Sequence, residues 1–311
     1  MKKAFALLVL GILAVSVAAA AAQAVQDKTP AAPAQASPAP VEPVKGHLVI
    51  IGGGGHIDLS LKRFIDLAER FQSGRIIVYM MADSTPMEDW PATLEDFKRL
   101  GAKSVTWANL THEQALVQDN ADALNDIGGI YFEGGDQARL TASLLDTPIH
   151  AKIMELYRKG AVIGGTSAGA AVMSEVMITG DEKRKPGGEE VECEKFRTIE
   201  AGNIITTRGF GLVTSAVIDQ HHIYRKRTNR VISVIAEHPD LLGVAIDEDT
   251  CIQVEPDQTF EVVGEKCVLV LDPGRAKVKT LASKLLNIES MTLHLLTPGT
   301  RYDLKNRVVI H

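Results

Sequence analysis

Apolar positions between residues 47 and 163 switch repeatedly between short continuous runs and helical spacing. Residues 47–51 (HLVII) form an apolar run that predicts a buried strand, and it ends in Gly52, Gly53, Gly54 and Gly55. Leu61, Phe64, Ile65 and Ala68 then recur at three- and four-residue steps, which predicts a helix over 59–71. The same alternation predicts strands at 75–80, 104–107 and 129–132, with helices around 94–100, 112–124 and 149–158. Strands alternating with helices imply right-handed crossovers and a mostly parallel α/β sheet covered on both faces, with chemistry at the carboxyl ends of the strands. Further strands are expected at 216–218, 243–246 and 251–254. Beyond residue 254 the pattern turns β-rich, at 260–263, 266–271, 277–280, 291–295 and 307–310, and predicts strands added to the same domain.

The amino-terminal stretch fits neither period. Lys2 and Lys3 precede an uncharged run over 4–22, and Ala22-Gln23-Ala24 is a small-x-small cleavage signal. Residues 1–24 therefore read as a signal peptide, with an uncleaved anchor as the alternative because the run approaches spanning length. Residues 25–45 carry Pro30, Pro33, Pro38, Pro40 and Pro43 without periodicity, a solvated linker ahead of a folded domain at 46–311. The expectation is an exported protein, periplasmic or secreted, with no stable membrane anchor after processing.

Composition narrows the classes. At 311 residues and 45% hydrophobic the chain can bury a large core. A formal net charge of −6 argues against a nucleic-acid partner, which needs a basic face. Of the three cysteines, Cys193, Cys251 and Cys267, none has C-x-x-C or metal-finger spacing, so at most one bridge is expected and no metal site.

The candidate chemistry centres on 161–174, AVIGGTSAGAAVMS, which reads as strand, sharp turn and Ala-rich helix with Ser167 at the turn. Such a turn holds a serine hydroxyl out of the sheet and aims the N–H of Ala168 at a developing oxyanion. The plainer reading is a glycine-rich turn in which Ser167 caps the helix. Residues 133–137, EGGDQ, end the preceding strand, so Gly135 and Gln137 are candidates to line the same cleft, or Asp136 merely caps a helix. Gly52 to Gly55 lack the spacing of a nucleotide loop and suggest a close backbone approach instead.

Nine histidines compete as base. His221 and His222 differ from the rest, because they follow an apolar strand within Asp219-Gln220-His221-His222 and stand directly before Arg225, Arg227 and Arg230. An acid, an amide, two imidazoles and three guanidiniums at a strand end are hard to justify as packing. On a helix Arg225 would lie about 200° from Arg227, so the three arginines converge only if the helix begins after Arg225.

Together GGTSAGAA, EGGDQ, DQHH-x-x-R-x-R-x-x-R and GVAIDEDT resemble cyanophycinase and the wider serine peptidase family that includes aspartyl dipeptidase. The resemblance runs from about residue 46 to 254 and implies a flavodoxin-like α/β sandwich, akin to class I glutamine amidotransferases. It further implies Ser167 as nucleophile, His221 as general base, and Gln137, Asp219, Gln220, Arg225, Arg227 and Arg230 as substrate-binding positions. Glu248 matches the family's acid, while some descriptions place that acid soon after the nucleophile, where this chain offers Asp181 and Glu182. Glu248 is preferred, because a strand-end acid in a parallel sheet reaches the active edge.

What the resemblance implies chemically is an acyl-enzyme. His221 takes the Ser167 proton, Glu248 orients the imidazole, and the Ala168 and Gly135 N–H groups receive the oxyanion before water releases the acyl group. No cofactor is needed. The expected substrate is cyanophycin, a poly-aspartate with arginine on its side chains, released as β-aspartyl-arginine; short aspartyl peptides are the alternative, and a catalytically dead binding protein is a third. A homodimer is compatible with the sequence.

Overall fold

The computed structural model describes residues 43–183 and 196–311. The expected signal peptide, the linker up to residue 42, Cys193 and most of the charged loop after Lys183 lie outside them. In chain order the first elements are β1 (His47–Ile51), α1 (Asp58–Ala68), β2 (Arg75–Tyr79), α2 (Pro86–Arg99), β3 (Val105–Ala108), α3 (His112–Ala115) and α4 (Gln118–Asp122). Then come β4 (Ile127–Phe132), α5 (Gln137–Leu144), α6 (Pro148–Lys159), β5 (Val162–Thr166), α7 (Ala168–Ala171), β6 (Val176–Glu182) and β7 (Ile204–Arg208). The remainder is β8 (Ala216–Gln220), α8 (Thr228–Glu237), β9 (Leu242–Ile246), β10 (Thr250–Val254), β11 (Thr259–Gly264) and β12 (Val268–Asp272). It closes with β13 (Lys277–Thr280), β14 (Leu286–Glu289), β15 (Thr292–Leu296), β16 (Arg301–Asp303) and β17 (Val308–Ile310).

A nine-stranded sheet carries the order β17-β16-β11-β10-β1-β5-β4-β2-β3. Strands β3, β2, β4, β5 and β1 are parallel neighbours, so β2 to β5 take the 2-1-3-4 order of a flavodoxin-like sheet and β1 fills the fifth place. From β1 outward, β10, β11, β16 and β17 each pair antiparallel with the strand before. Of the strands beyond residue 254, β11, β16 and β17 thus extend the main sheet, while β12 and β15 join a second sheet and β13 pairs with β14 in a two-stranded one; residues 42–311 form one unit.

Strands β8 and β9, by contrast, leave the main sheet. They pair parallel in a second sheet, β15-β12-β9-β8, with α8 as the crossover between them. Burial explains the layering. Leu48 and Ile50 of β1 and Ile163 of β5 share a core with Ile218, Val244 and Ile246 of the second sheet. Val49 and Ile51 face the other way onto Leu61, Phe64 and Ile65 of α1. Ala245, Leu269 and Leu271 on the outer face of the second sheet meet Val231 and Ile235 of α8. An acid at the end of β9 therefore stands in the second sheet and not in the parallel one, yet its chain crosses at once into β10 of the main sheet.

Two local expectations change. The helix expected over 112–124 breaks into α3 and α4, because Val117 is extended and Asn120 Nδ2 donates to the Gln114 carbonyl at 2.8 Å, an alternative to the helical ladder. Helix α5 and the β6–β7 hairpin carry too little periodicity to be seen, although Asp136 caps α5 by accepting from Ala138 N at 2.8 Å.

Candidate active site

Strand β5 runs beside β1 with Thr166 opposite Ile51, and Ser167 N–H donates to the Ile51 carbonyl at 3.1 Å. The chain then reverses through Ser167, whose φ of 53° and ψ of −107° place it among sparsely populated backbone conformations. Small residues make the reversal fit: a Cβ on Gly169 would lie 2.0 Å from the Phe132 carbonyl oxygen. The Ala-rich helix expected after the turn closes only one turn, α7. Phe210 N and Val213 N take the carbonyls of Val172 and Met173 at 2.7 and 2.8 Å, which draws the chain into tertiary pairing.

Parallel pairing of β8 with β9 sets Gln220 opposite Ile246, so both chains exit at the same edge. His221 turns out with a φ of 54°, and its N–H donates to the Gly52 carbonyl at 3.0 Å, tying the second sheet to the end of β1. His221 Nε2 lies 2.8 Å from Ser167 Oγ, and His221 Nδ1 lies 2.7 Å from Glu248 Oε1. Donation from Nδ1–H to the carboxylate leaves Nε2 as the acceptor for the serine hydroxyl. Burial pushes the imidazole well below its ordinary pKa, the positive charges of Arg225 and Arg227 add to the shift, and Asp219 opposes it. The imidazole is thus neutral at ordinary pH, with Nε2 placed to accept from the serine hydroxyl.

The other candidates stand outside the Ser167–His221–Glu248 contact chain. His222 is 1% exposed and faces the interior. Asp181 is exposed on β6 and lines the arginine-bearing cleft beside Ser167, and Glu182 accepts from Asn203 Nδ2 at 3.0 Å. Cys251 and Cys267 are free thiols.

Two clefts meet at Ser167. Gly53, Gly54, Gly134 and Tyr224 line the first with His221 and Glu248. Gly135, Gln137, Gln220, Arg225, Arg227 and Arg230 line the second, a space of about 230 Å³. Ala168, as the first residue of α7, has no intrahelical acceptor for its N–H.

Helix α8 begins at Thr228 with Arg227 at its N-cap, so Arg225 precedes the helix and all three guanidiniums reach one cleft. Their freedom is unequal. Arg230 and Asp219 are each 1% exposed and locked in a forked pair, with Arg230 Nε 2.9 Å from Asp219 Oδ2 and Arg230 Nη2 2.6 Å from Gln220 Oε1. The guanidinium carbon also stands 5.2 Å from the Phe196 ring centre. Arg227 Nη1 donates to Gln220 Oε1 at 3.0 Å. Arg225 is exposed at the junction of both clefts. Gln137 uses its amide nitrogen on the carbonyls of Ile178 and Thr179, at 2.8 and 2.7 Å, and so anchors the β6 wall.

The buried pair has a measurable consequence. Arg230→Leu leaves Asp219 uncompensated in the interior and is expected to destabilise by about 3–5 kcal/mol, lowering Tm by roughly 6–20 °C. Arg227→Leu, which removes a half-buried hydrogen bond, should lose about 1–2 kcal/mol. Scanning calorimetry of the two variants checks the difference.

Which glycine packs on His221, and the Tyr224 lip, escape a sequence reading. GGGG and DED are visible as motifs, but only the folded chain shows which glycine meets the imidazole and which acid faces which partner.

Comparison with known proteins gives the family. The model of peptidase family S51 matches residues 48–262. A cyanophycinase of Synechococcus elongatus is 37% identical over 210 residues, covering 63% of this chain and 61% of that protein. A cyanophycinase of Nostoc sp. (strain PCC 7120 / SAG 25.82 / UTEX 2576) is 34% identical over 220 residues, covering 69% of this chain and 70% of its own. The crystal structure of a peptidase from an acI-B1 Actinobacterium superimposes with a TM-score of 0.61 at 20% identity, covering 84% of this chain and 98% of that one, and shows the shared fold. With the match spanning every strand from β1 to most of β11, the chain belongs to peptidase family S51.

Proposed function

We propose that the protein is an exported serine exopeptidase that hydrolyses cyanophycin to β-aspartyl-arginine through an acyl-enzyme. The observation that carries the reading is the contact chain from Ser167 Oγ to His221 Nε2 and from His221 Nδ1 to Glu248, opening beside a cleft that holds three arginines. Relatives named cyanophycinase support the substrate class.

In the reaction, His221 takes the Ser167 proton as the hydroxyl oxygen attacks a peptide carbonyl, and Glu248 stabilises the imidazolium that results. The Ala168 N–H and the Gly135 N–H receive the oxyanion. His221 then gives its proton to the leaving amine, and a water attacks the ester by the same route in reverse. Arg225, with the fewest protein contacts of the three arginines, is the natural receptor for a substrate carboxylate; Arg227 and Arg230 shape the cleft while engaged with Gln220 and Asp219. The arginine cleft of about 230 Å³ adjoins the cleft of about 500 Å³ at His221, and together they give room for a short peptide unit on either side of Ser167.

The test is digestion of purified cyanophycin beside short Asp-X dipeptides, with the products identified by mass spectrometry. Release of β-aspartyl-arginine, lost in Ser167→Ala, is the expected result. Cleavage of the dipeptides with the polymer untouched would make the protein an aspartyl dipeptidase, and no cleavage of either would favour a binding role.

A further inference from the structure

We propose that Asp249 is a positioning residue, whose carboxylate and backbone clamp the glycine loop after β1 so that this loop covers the imidazole of His221. The proposal rests on the reading of Ser167 as nucleophile and His221 as its base.

Asp249 directly follows Glu248, but it faces away from the imidazole. Its backbone takes a φ of 56°, a left-handed conformation that Asp tolerates better than most side chains. Asp249 N–H donates to the Gly53 carbonyl at 2.8 Å, and Asp249 Oδ1 accepts from His56 N–H at 2.9 Å, so the residue grips both ends of the loop. Gly55 N–H also bonds the carboxylate. Lys266 Nζ, 3.0 Å from Oδ2, holds the carboxylate from the far side.

The gripped loop is pressed on the base. A Cβ on Gly53 would lie 2.1 Å from His221 Cε1, and a Cβ on Gly54 would lie 2.1 Å from Asp249 Oδ1. Both glycines have left-handed φ, 99° and 102°, so the loop has no side chain of its own to hold it in place. The Gly52 carbonyl meanwhile accepts from His221 N–H at 3.0 Å. Asp249 touches none of the reacting atoms. It acts through the loop, which fixes the imidazole's position and keeps water from one side of it, while Glu248, Asp219, Arg225, Arg227 and Arg230 remain the charges around the base.

A turn residue that only closes the β9–β10 connection would affect stability alone. The discriminating measurement is the rate at which an alkyl fluorophosphonate labels Ser167 across about pH 4 to 9, which reads base strength with no peptide present. In that labelling the serine oxygen bonds to phosphorus, fluoride leaves, and His221 takes the proton. Wild type should keep its rate down to a pH well below about 6.5, the ordinary imidazole value. Asp249→Ala and Asp249→Gly should label about 10- to 100-fold more slowly at neutral pH, with the acid limb moved up toward that value. Asp249→Asn, which keeps an acceptor for His56 and tolerates the left-handed turn, should stay near wild type on both counts. A wild-type rate and limb in Asp249→Ala, with only Tm changed, would overturn the proposal. So would full recovery in Asp249→Gly, since backbone freedom alone would then suffice, or equal damage in Asp249→Asn. Absence of Ser167 labelling in wild type would instead overturn the nucleophile reading on which it rests.

Discussion

Ser167→Ala is expected to lower peptidase turnover on the order of 10⁶-fold while leaving the thermal transition close to that of wild type. The side chain projects from an elbow whose strained backbone is set by its neighbours, with Ser167 N–H held by the Ile51 carbonyl and Gly169 packed on Phe132. Removing one oxygen therefore deletes the proposed nucleophile without opening a core cavity. The loss should appear entirely in the chemical step, so a folded variant retaining more than a few per cent of turnover, measured with reagent free of wild-type enzyme, would remove Ser167 from the mechanism.

The second large effect divides the adjacent histidines and the competing acids. His221→Ala should fall about as far as Ser167→Ala, because serine and base act as one unit and losing either loses most of their joint effect. His222→Ala should keep most of its turnover per folded molecule, since its ring lies in the interior and makes no contact with Ser167. Glu248→Gln is expected to lose about 10⁴-fold, as the amide no longer holds the imidazole in the tautomer that leaves Nε2 free for the hydroxyl. Glu182→Gln disturbs only the contact with Asn203 and should stay within about threefold, a change below 1 kcal/mol. Steady-state kinetics of the four variants on one substrate check the pattern. Equal losses in Glu248→Gln and Glu182→Gln would leave the orienting role with neither.

Much of this was legible in the chain because it depends on neighbours in sequence. Apolar runs and helical spacing are local, and so are the small residues around Ser167 that permit the elbow; the alternating elements and the turn could be read from 47–166 without any long-range information. The added strands after residue 254 followed from the same periodicity.

What the local pattern could not decide was which strand ends meet. A run such as AVIDQ, fully buried on both faces, looks alike whether it joins the main sheet or a second one, and the choice is made by packing of Ile218, Val244 and Ile246 against the core under β1 and β5. That choice sets His221 beside a serine 54 residues earlier and a glutamate 27 residues later. It likewise separates the arginines. The nine residues after His221 present Arg225, Arg227 and Arg230 alike as charges, and only the fold shows that Arg230 is buried against Asp219 while Arg225 stays in the cleft mouth. Sequence determined the elements and the residues available for chemistry, since backbone geometry and burial period are properties of short segments; tertiary structure alone decided the partners, since contacts such as Asp249 with His56, 193 residues apart, exist only once β10 has paired with β1.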